Sequence, residues 1–480
     1  MTDYDVVAYP HRPFSQMHPD RLAVMGRLFG MQPASPEKCR VLELGCGSGG
    51  HLIPLADHFP ASEFCGVDLA PTAIELGAQR IATLGLKNIR LDAMDLLDFP
   101  EDAGQFDFIV AHGLLSWVPE PVRAKIFEIC QRHLTPQGVA YISYNAYPGC
   151  YVRQMWRDMM LFHTTQFTRP EDKIQQAKGV LHLVANGTVR EDAGHLLAKE
   201  EFAQKIAGPD TAIFHDDLAP VWQPFYFHEF AAIAAGHGMQ YLSEASYSDM
   251  QPTGLNPQAE QALDAVAKAG VALYEQYLDF FKMRRFRQTL LCRSDVALHR
   301  PVDAACVEQF HFSGSLQVVP NEDANAPEGA VAFRNGINKV TVTTTNPVTV
   351  AVLSAITEAW PCSLTFDELA ASADRTQVRE LLLAFFASQF LNIHSVPRRL
   401  ANRVSEKPEA WRVSRLEASL DMVVPHFHHG LIELEDQPVR KLITLLDGTR
   451  THAELESIMQ GTVDLQPALA RMARGAILVA

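Results

Sequence analysis

A chain of 480 residues is too long for one compact core, so we expect two to four domains. The net charge of −15 argues against a nucleic-acid partner held chiefly through its phosphates. No apolar stretch approaches the ~20 residues that span a bilayer, and the N-terminal MTDYDVVAYPHRPF lacks the apolar core of a signal peptide. Since the eight cysteines show no paired spacing, we expect a cytoplasmic protein without membrane insertion or a metal site.

Short apolar strands alternate with amphipathic helices from residue 40 to residue 145. The strands are RVLELG, FCGVDL, NIRLDA, FDFIVAHG and GVAYISYN. This alternation predicts a parallel sheet with right-handed crossovers. Two more strands, HGMQYLSEA and RRFRQTLLCR, flank a helix predicted over 256–283. The fold class is therefore α/β, with a doubly wound, mostly parallel, seven-stranded Rossmann-like sheet.

The rest of the chain is assigned to an insertion and two smaller modules. A helical insertion is predicted over 151–235, between the core (1–150) and a region with the last two strands (236–297). Together these form a first domain over 1–297. Helices followed by short strands favour winged-helix-like modules over 298–405 and 406–480. HFHHG at 426–430 has no cysteine or carboxylate at ligand spacing, which favours a loop over a metal site.

The strongest motif is VLELGCGSGG at 41–50. A glycine-rich turn between a strand and a helix lets the backbone approach a ligand closely. The pattern is E-x-G-x-G-x-G rather than the dinucleotide G-x-G-x-x-G, and Glu43 suits the amino group of S-adenosylmethionine (SAM). A turn that needs glycine for backbone reasons alone is the alternative. The predicted contacts are Glu43, Gly45, Cys46 and Gly47.

Acidic residues also follow the second and third strands. Asp68 lies 23 residues beyond Gly45, close to the ~20 expected for a carboxylate that accepts both ribose hydroxyls; a helix N-cap is the alternative. Asp95, with Asp92 in reserve, suits the adenine amino group, and the neighbouring backbone amide suits a ring nitrogen. An acidic surface loop is the alternative there. The predicted adenosine contacts are Asp68, Leu69, Asp95 and Leu96.

The methyl acceptor is expected at the carboxyl end of the fifth strand, in SYNAYPG. Methyl transfer is an in-line displacement, so the protein mainly aligns the acceptor with the methyl group. For a lysine acceptor, Asn145 could hold the amine, while Tyr147 and Trp117 could border its alkyl chain and favour its charge. A strand end with packing aromatics is the alternative.

Five segments together carry a family resemblance: YDVVAYPHRPFSQMHP, VLELGCGSGG, AHGLLSWVP, SYNAYPG and EQYLDFFKMRRFRQTLLCR. They resemble the class I SAM-dependent methyltransferases. More narrowly, they resemble bacterial methyltransferases with a methyltransferase regulatory domain, which include rickettsial protein-lysine methyltransferases of outer-membrane proteins. The resemblance covers 1–297 well and places the regulatory domain at 215–297.

The resemblance implies roles for further residues. It implies that His112 and Gly113 border the methionine part of SAM and that Tyr9 closes over the cofactor. It also implies a protein lysine as acceptor and a homodimer. Two alternatives stay open: a small-molecule N- or O-methyltransferase, and a non-catalytic SAM-sensing regulator that binds DNA. The glycine spacing disfavours a dinucleotide oxidoreductase.

Overall fold

A seven-stranded sheet lies at the centre of the N-terminal half of the chain. The computed structural model describes residues 12–187, 189, 192–321 and 326–479. The strand order is β3-β2-β1-β4-β5-β7-β6. These strands are β1 (Arg40–Leu44), β2 (Glu63–Asp68), β3 (Ile89–Ala93), β4 (Phe106–Ala111), β5 (Leu134–Asn145), β6 (Met239–Glu244) and β7 (Phe286–Arg293).

Strand direction agrees with the apolar patterning of the sequence. The first five strands pair in parallel, and β7 is antiparallel to both β5 and β6. Phe108 to Ala111 of β4 are fully buried, as expected for a strand covered on both faces. The predicted Rossmann-like α/β fold is confirmed.

Four helices precede or connect the parallel strands. Helix α3 begins with Pro71 and ends at Gly85, whose φ of 66° provides the left-handed C-cap. The helices are α1 (Pro19–Leu28), α2 (Leu52–His58), α3 (Pro71–Leu84) and α4 (Glu120–His133). The carboxyl ends of β1 to β5 therefore meet at one edge of the sheet, where a ligand crevice is expected.

The region between β5 and β7 is helical apart from β6. The single helix expected over 256–283 is wrong, because the chain breaks at Gly270, whose φ of 132° is not helical. The helices are α5 (Cys150–Thr164), α6 (Pro170–Asn186), α7 (Ala193–Ala207), α8 (Asp210–Ala212), α9 (Phe227–Gly236), α10 (Pro257–Ala267) and α11 (Val271–Lys282).

The C-terminal part combines helices with small antiparallel sheets, in the orders β11-β10-β9, β12-β8-β13 and β14-β15. Its strands are β8 (His311–Ser313), β9 (Leu316–Val319), β10 (Val331–Asn335), β11 (Thr341–Thr344), β12 (Leu364–Thr365), β13 (Asn392–His394), β14 (Val423–His426) and β15 (Gly430–Glu433). Its helices are α12 (Pro347–Ala359), α13 (Phe366–Ala370), α14 (Arg375–Ala387), α15 (Arg412–Leu420), α16 (Gln437–Leu445), α17 (His452–Met459) and α18 (Leu465–Arg474). The winged-helix assignment stays a prediction.

Helix α1 joins the two halves of the chain, packing on β5 and on β13. Its Asp20 is 2% exposed and accepts from the backbone N–H and the hydroxyl of Ser395, at 2.7 and 2.6 Å. The same carboxylate contacts His394 Nδ1 at 3.0 Å and Arg398 Nη2 at 3.1 Å. This buried network attaches the C-terminal part to the N-terminal half. Within the described ranges, no helix has the length and apolar character to cross a bilayer.

Candidate active site

The glycine-rich turn after β1 has the open backbone that a close ligand requires. Gly45, Gly47 and Gly49 have φ values of 77°, 52° and 74°, all in the left-handed region. The turn is fixed to β2, because the N–H groups of Gly45 and Cys46 donate to the carbonyl of Val67. Cys46 is 3% exposed. It can therefore offer a ligand mainly its backbone.

Glu43 is a buried carboxyl next to this turn. Its side chain is 5% exposed, and its Oε2 has no hydrogen-bond partner among the described residues. Burial, and secondly the charge of Asp68, raises the pKa of Glu43 well above its ordinary value. A cationic amine bound here would supply both a donor and a compensating charge. The turn and Glu43 thus fit the amino-acid part of SAM.

Asp68 lies at the end of β2 with both carboxylate oxygens held. Oδ2 accepts from Gly47 N at 2.8 Å and Oδ1 accepts from Ala70 N at 2.9 Å. Each oxygen keeps a lone pair for a further donor, such as a ribose hydroxyl. The carboxylate therefore positions the glycine turn and could also contact a ligand.

The third acidic position is Asp95, which is exposed after β3. Its Oδ1 accepts from Leu97 N at 3.0 Å, so Asp95 caps the short 3₁₀ turn Leu96–Asp98. Leu96 is 8% exposed, whereas Leu69 after β2 is 58% exposed. The exposed side chain of Leu69 offers an apolar surface on which an adenine ring could lie.

His112 and Gly113 follow β4 at the same edge of the sheet. His112 Nδ1 lies 2.9 Å from the Tyr141 hydroxyl, and Gly113 N donates to Ser143 Oγ at 2.7 Å. Burial lowers the pKa of His112 to about 4, so its ring is neutral near pH 7. The ring of Phe14 lies 4.5 Å from that of His112, between centroids. Tyr9, predicted to close over the cofactor, lies outside the described residues.

Asn145 ends β5 and is 5% exposed. Its backbone N–H donates to Ser116 Oγ at 2.9 Å, which joins β5 to the loop after β4. Its amide oxygen accepts from Arg153 Nη1 at 3.4 Å. The oxygen predicted to hold an amine thus already contacts a guanidinium.

Trp117 belongs to a cluster built around Arg153. The guanidinium carbon lies 5.3 Å from the ring centre of Trp117 and 5.7 Å from that of Trp222. Arg153 also pairs with the fully buried Asp217, at 2.5 Å. The cation expected beside Trp117 is therefore present in this chain itself, as Arg153.

Tyr147 belongs to a different cluster, which is open to solvent. Its ring stacks on Tyr151, with centroids 4.3 Å apart, and lies 5.3 Å from the Tyr226 ring. The hydroxyls of Tyr151 and Tyr226 are 3.2 Å apart, and Tyr151 is 54% exposed. This hydrogen bond, followed by burial, raises the pKa of Tyr226 to about 12. Three tyrosine side chains thus lie together near the end of β5, with Tyr151 open to solvent.

Sequence reasoning missed several of these neighbours. Tyr151 follows Tyr147 by four residues, a spacing that could have suggested a shared face. Tyr226 and Trp222 come from the distant segment before α9, which no local pattern connects to β5. Within the described residues, no group of three or more His, Cys, Asp or Glu side chains could hold a metal ion.

Two family models match the chain. The model described as "Methyltransferase domain" matches residues 41–138, and "Predicted methyltransferase regulatory domain" matches 209–293. The second range overlaps the 215–297 that the resemblance implied.

Relatives and a solved structure extend the match beyond these ranges. The uncharacterized protein RP789 of Rickettsia prowazekii is 34% identical over 396 residues, covering 81% of this chain and 71% of that protein. RP028 of the same organism is 38% identical over 47% of this chain and 91% of its own length. PKMT2 from Rickettsia typhi, solved in complex with AdoHcy, is 25% identical, with a TM-score of 0.87 over 98% of this chain and all of that one. The chain belongs to the class I SAM-dependent methyltransferases that carry a methyltransferase regulatory domain.

Proposed function

We propose that this SAM-dependent methyltransferase methylates lysine side chains of a protein. The observation that carries the proposal is the solvent-open cluster of Tyr147, Tyr151 and Tyr226 near the carboxyl end of β5. Aromatic faces attract an alkylammonium group, and phenol oxygens accept its hydrogen bonds. The likeness to PKMT2, a rickettsial protein-lysine methyltransferase, supports the same substrate class.

SAM supplies a methyl group activated by its sulfonium centre. In this proposal, Glu43 binds the amino group, Asp68 binds the ribose hydroxyls and Asp95 faces the adenine. Each role agrees with an observation described above. Glu43 Oε2 has no partner among the described residues, the Asp68 carboxylate is held by two backbone N–H groups, and Asp95 caps the turn after β3. The further contacts proposed are Tyr9, Gly45, Cys46, Gly47, Leu69, Leu96, His112 and Gly113.

On the acceptor side, the tyrosines orient the lysine rather than deprotonate it. The raised pKa of Tyr226 keeps its phenol neutral, so it is a poor base near pH 7. The lysine amine must therefore lose its proton before it attacks the methyl group. Asn145 and Trp117 are proposed to act through Arg153, which contacts both of them.

The division into 1–297, 298–405 and 406–480 and the homodimer remain proposals. We propose that the insertion and the C-terminal modules select the macromolecular acceptor, because a small acceptor would not need such surfaces.

The test is to follow methyl-labelled SAM with the purified chain and, in parallel, a bacterial protein extract and its small-molecule fraction. We expect label in protein, and amino-acid analysis should recover it as methyl-lysine. Tyr226→Ala should lower kcat/KM for the protein acceptor at least tenfold and leave the Kd of SAM unchanged. Tyr247→Phe is the matched control, since Tyr247 stacks on Phe386 away from the cluster.

Label confined to the small-molecule fraction would contradict the proposal and favour the N- or O-methyltransferase alternative. Label on a protein residue other than lysine would contradict the acceptor assignment. An unchanged kcat/KM in Tyr226→Ala would remove the tyrosine cluster from the acceptor site.

A further inference from the structure

A cavity of about 460 Å³ lies where α1 meets both parts of the C-terminal region, and its lining includes none of the predicted SAM or acceptor contacts. Its volume is in the range of small-molecule sites, ~300–1,000 Å³. Side chains from three separate parts of the chain line it. Those that matter here are Asp20, Arg21, Arg398, His426, His428 and Arg474.

The charges of this lining are unbalanced. Three arginines and one aspartate belong to the lining, and the Asp20 carboxylate already contacts Ser395, His394 and Arg398. Across the described ranges, the guanidinium groups of Arg21 and Arg474 have no hydrogen bond or ion pair. Arg21 lies over the Phe386 ring, 5.4 Å from its centre, and burial lowers the pKa of Arg21. Apart from the nearby charge of Asp20, these two arginines have no hydrogen-bonded or ion-paired anion among the described residues.

The histidines add ring nitrogens that have no partner among the described residues. His426 Nδ1 accepts from the backbone N–H of His428 at 3.2 Å. Because a neutral imidazole has one N–H, the proton of His426 lies on Nε2, for which no partner occurs among the described residues. His428 Nε2 is buried and likewise unpartnered within the described part of the chain. Burial lowers the pKa of His426 to about 4, so it serves as a neutral donor near pH 7.

We propose that this cavity binds a small molecule through an oxyanion, either a phosphate or a carboxylate group. Unpaired guanidinium groups recognise such planar or tetrahedral oxyanions by charge-assisted hydrogen bonds. Arg21 and Arg474 bind the anion, and His426 donates to it from the β14-β15 hairpin. The volume leaves room for an organic part beyond the anion. The site is separate from the SAM site and holds whether or not the acceptor is a protein lysine.

The test is calorimetric titration of the full chain with inorganic phosphate, ribose 5-phosphate and citrate, each at constant ionic strength. Saturating SAM is present throughout, so that binding at the active site does not contribute. The variants are Arg21→Gln and Arg474→Gln, and Arg403→Gln is the control because Arg403 is exposed outside the cavity. Arg474 is itself exposed, so its variant should fold, which circular dichroism checks.

We expect 1:1 binding of at least one probe with a submillimolar Kd. Each cavity variant should raise that Kd at least tenfold, and the control should leave it unchanged. Binding of ribose 5-phosphate without citrate would identify a phosphate ligand, and the reverse would identify a carboxylate. Failure of all three probes at millimolar concentration, or binding that both cavity variants retain, would overturn the proposal.

Discussion

Replacing Arg287 with methionine should strongly destabilise the catalytic half, because Arg287 neutralises a buried acidic cluster. Its guanidinium donates to Asp279 at 2.8 Å through two nitrogens, to Glu275 at 3.0 Å and to Glu244 at 2.5 Å. The side chains of all four residues are at most 1% exposed. Although burial disfavours its charge, these carboxylates hold the pKa of Arg287 well above the ordinary value.

The expected magnitude follows from this geometry. Methionine roughly keeps the volume but leaves three buried carboxylates, of which Asp279 keeps an ion pair with Arg284. Removing one partner of a buried ion network costs ~3–5 kcal/mol, since the remaining charges are uncompensated. That is a large part of the ~5–15 kcal/mol by which a typical native protein is stable.

Urea unfolding, followed by circular dichroism, measures the change in the free energy of unfolding. Arg285→Met is the matched control, because Arg285 is 49% exposed and pairs with Glu201 at the surface. Arg285→Met should lower the free energy of unfolding by at most ~1 kcal/mol. Adding Glu244→Gln to Arg287→Met should recover part of the loss. A loss below ~1 kcal/mol in Arg287→Met, equal to the control, would refute the reasoning.

Three further predictions concern the interface, the cofactor and the β4 loop. Asp20→Asn should lower the free energy of unfolding by ~2–4 kcal/mol, and the loss should vanish in acid. Burial opposes ionisation of Asp20, but His394 and Arg398 hold its pKa well below the ordinary value. The stabilisation that Asp20 provides is therefore lost only as pH falls through that lowered pKa. A difference in the free energy of unfolding that persists unchanged in acid would contradict this. SAM affinity should rise with pH as Glu43 ionises, because burial raises its pKa, and calorimetry on Glu43→Gln should show no such rise. Ser116→Ala should lower the free energy of unfolding in urea by ~1–3 kcal/mol, because it leaves the buried Asn145 N–H unpaired. A Ser116→Ala variant as stable as the parent would contradict this expectation.

The sheet was predictable because its information is local. RVLELG, FDFIVAHG and GVAYISYN are apolar runs of strand length, and a strand buried on both faces requires such runs. The break at Gly270 was missed because apolar spacing continues across it, although its glycine was the available signal. The antiparallel sheets of the C-terminal part pair strands that are distant in sequence, such as β8 with β13, and no local pattern records such pairing.

The candidate site, like the fold, was predictable only where its residues are positioned by local sequence. Glu43, Gly45 and Asp68 lie at or just after the carboxyl ends of β1 and β2, so their proximity could be predicted from the sequence. The surroundings of Asn145 and Tyr147 could not, because Arg153 and Tyr226 reach them from other helices and loops.

SAM is expected to bind at the edge of the sheet near Glu43 and Asp68. Calorimetric titration with SAM and, separately, with NAD tests this most directly, using the parent chain, Asp68→Ala and the exposed control Asp102→Ala. We predict micromolar binding of SAM and none of NAD, with a loss of at least tenfold, ~1.4 kcal/mol, in Asp68→Ala and no change in the control. Absence of SAM binding, or SAM binding that Asp68→Ala leaves unchanged, would contradict the claim.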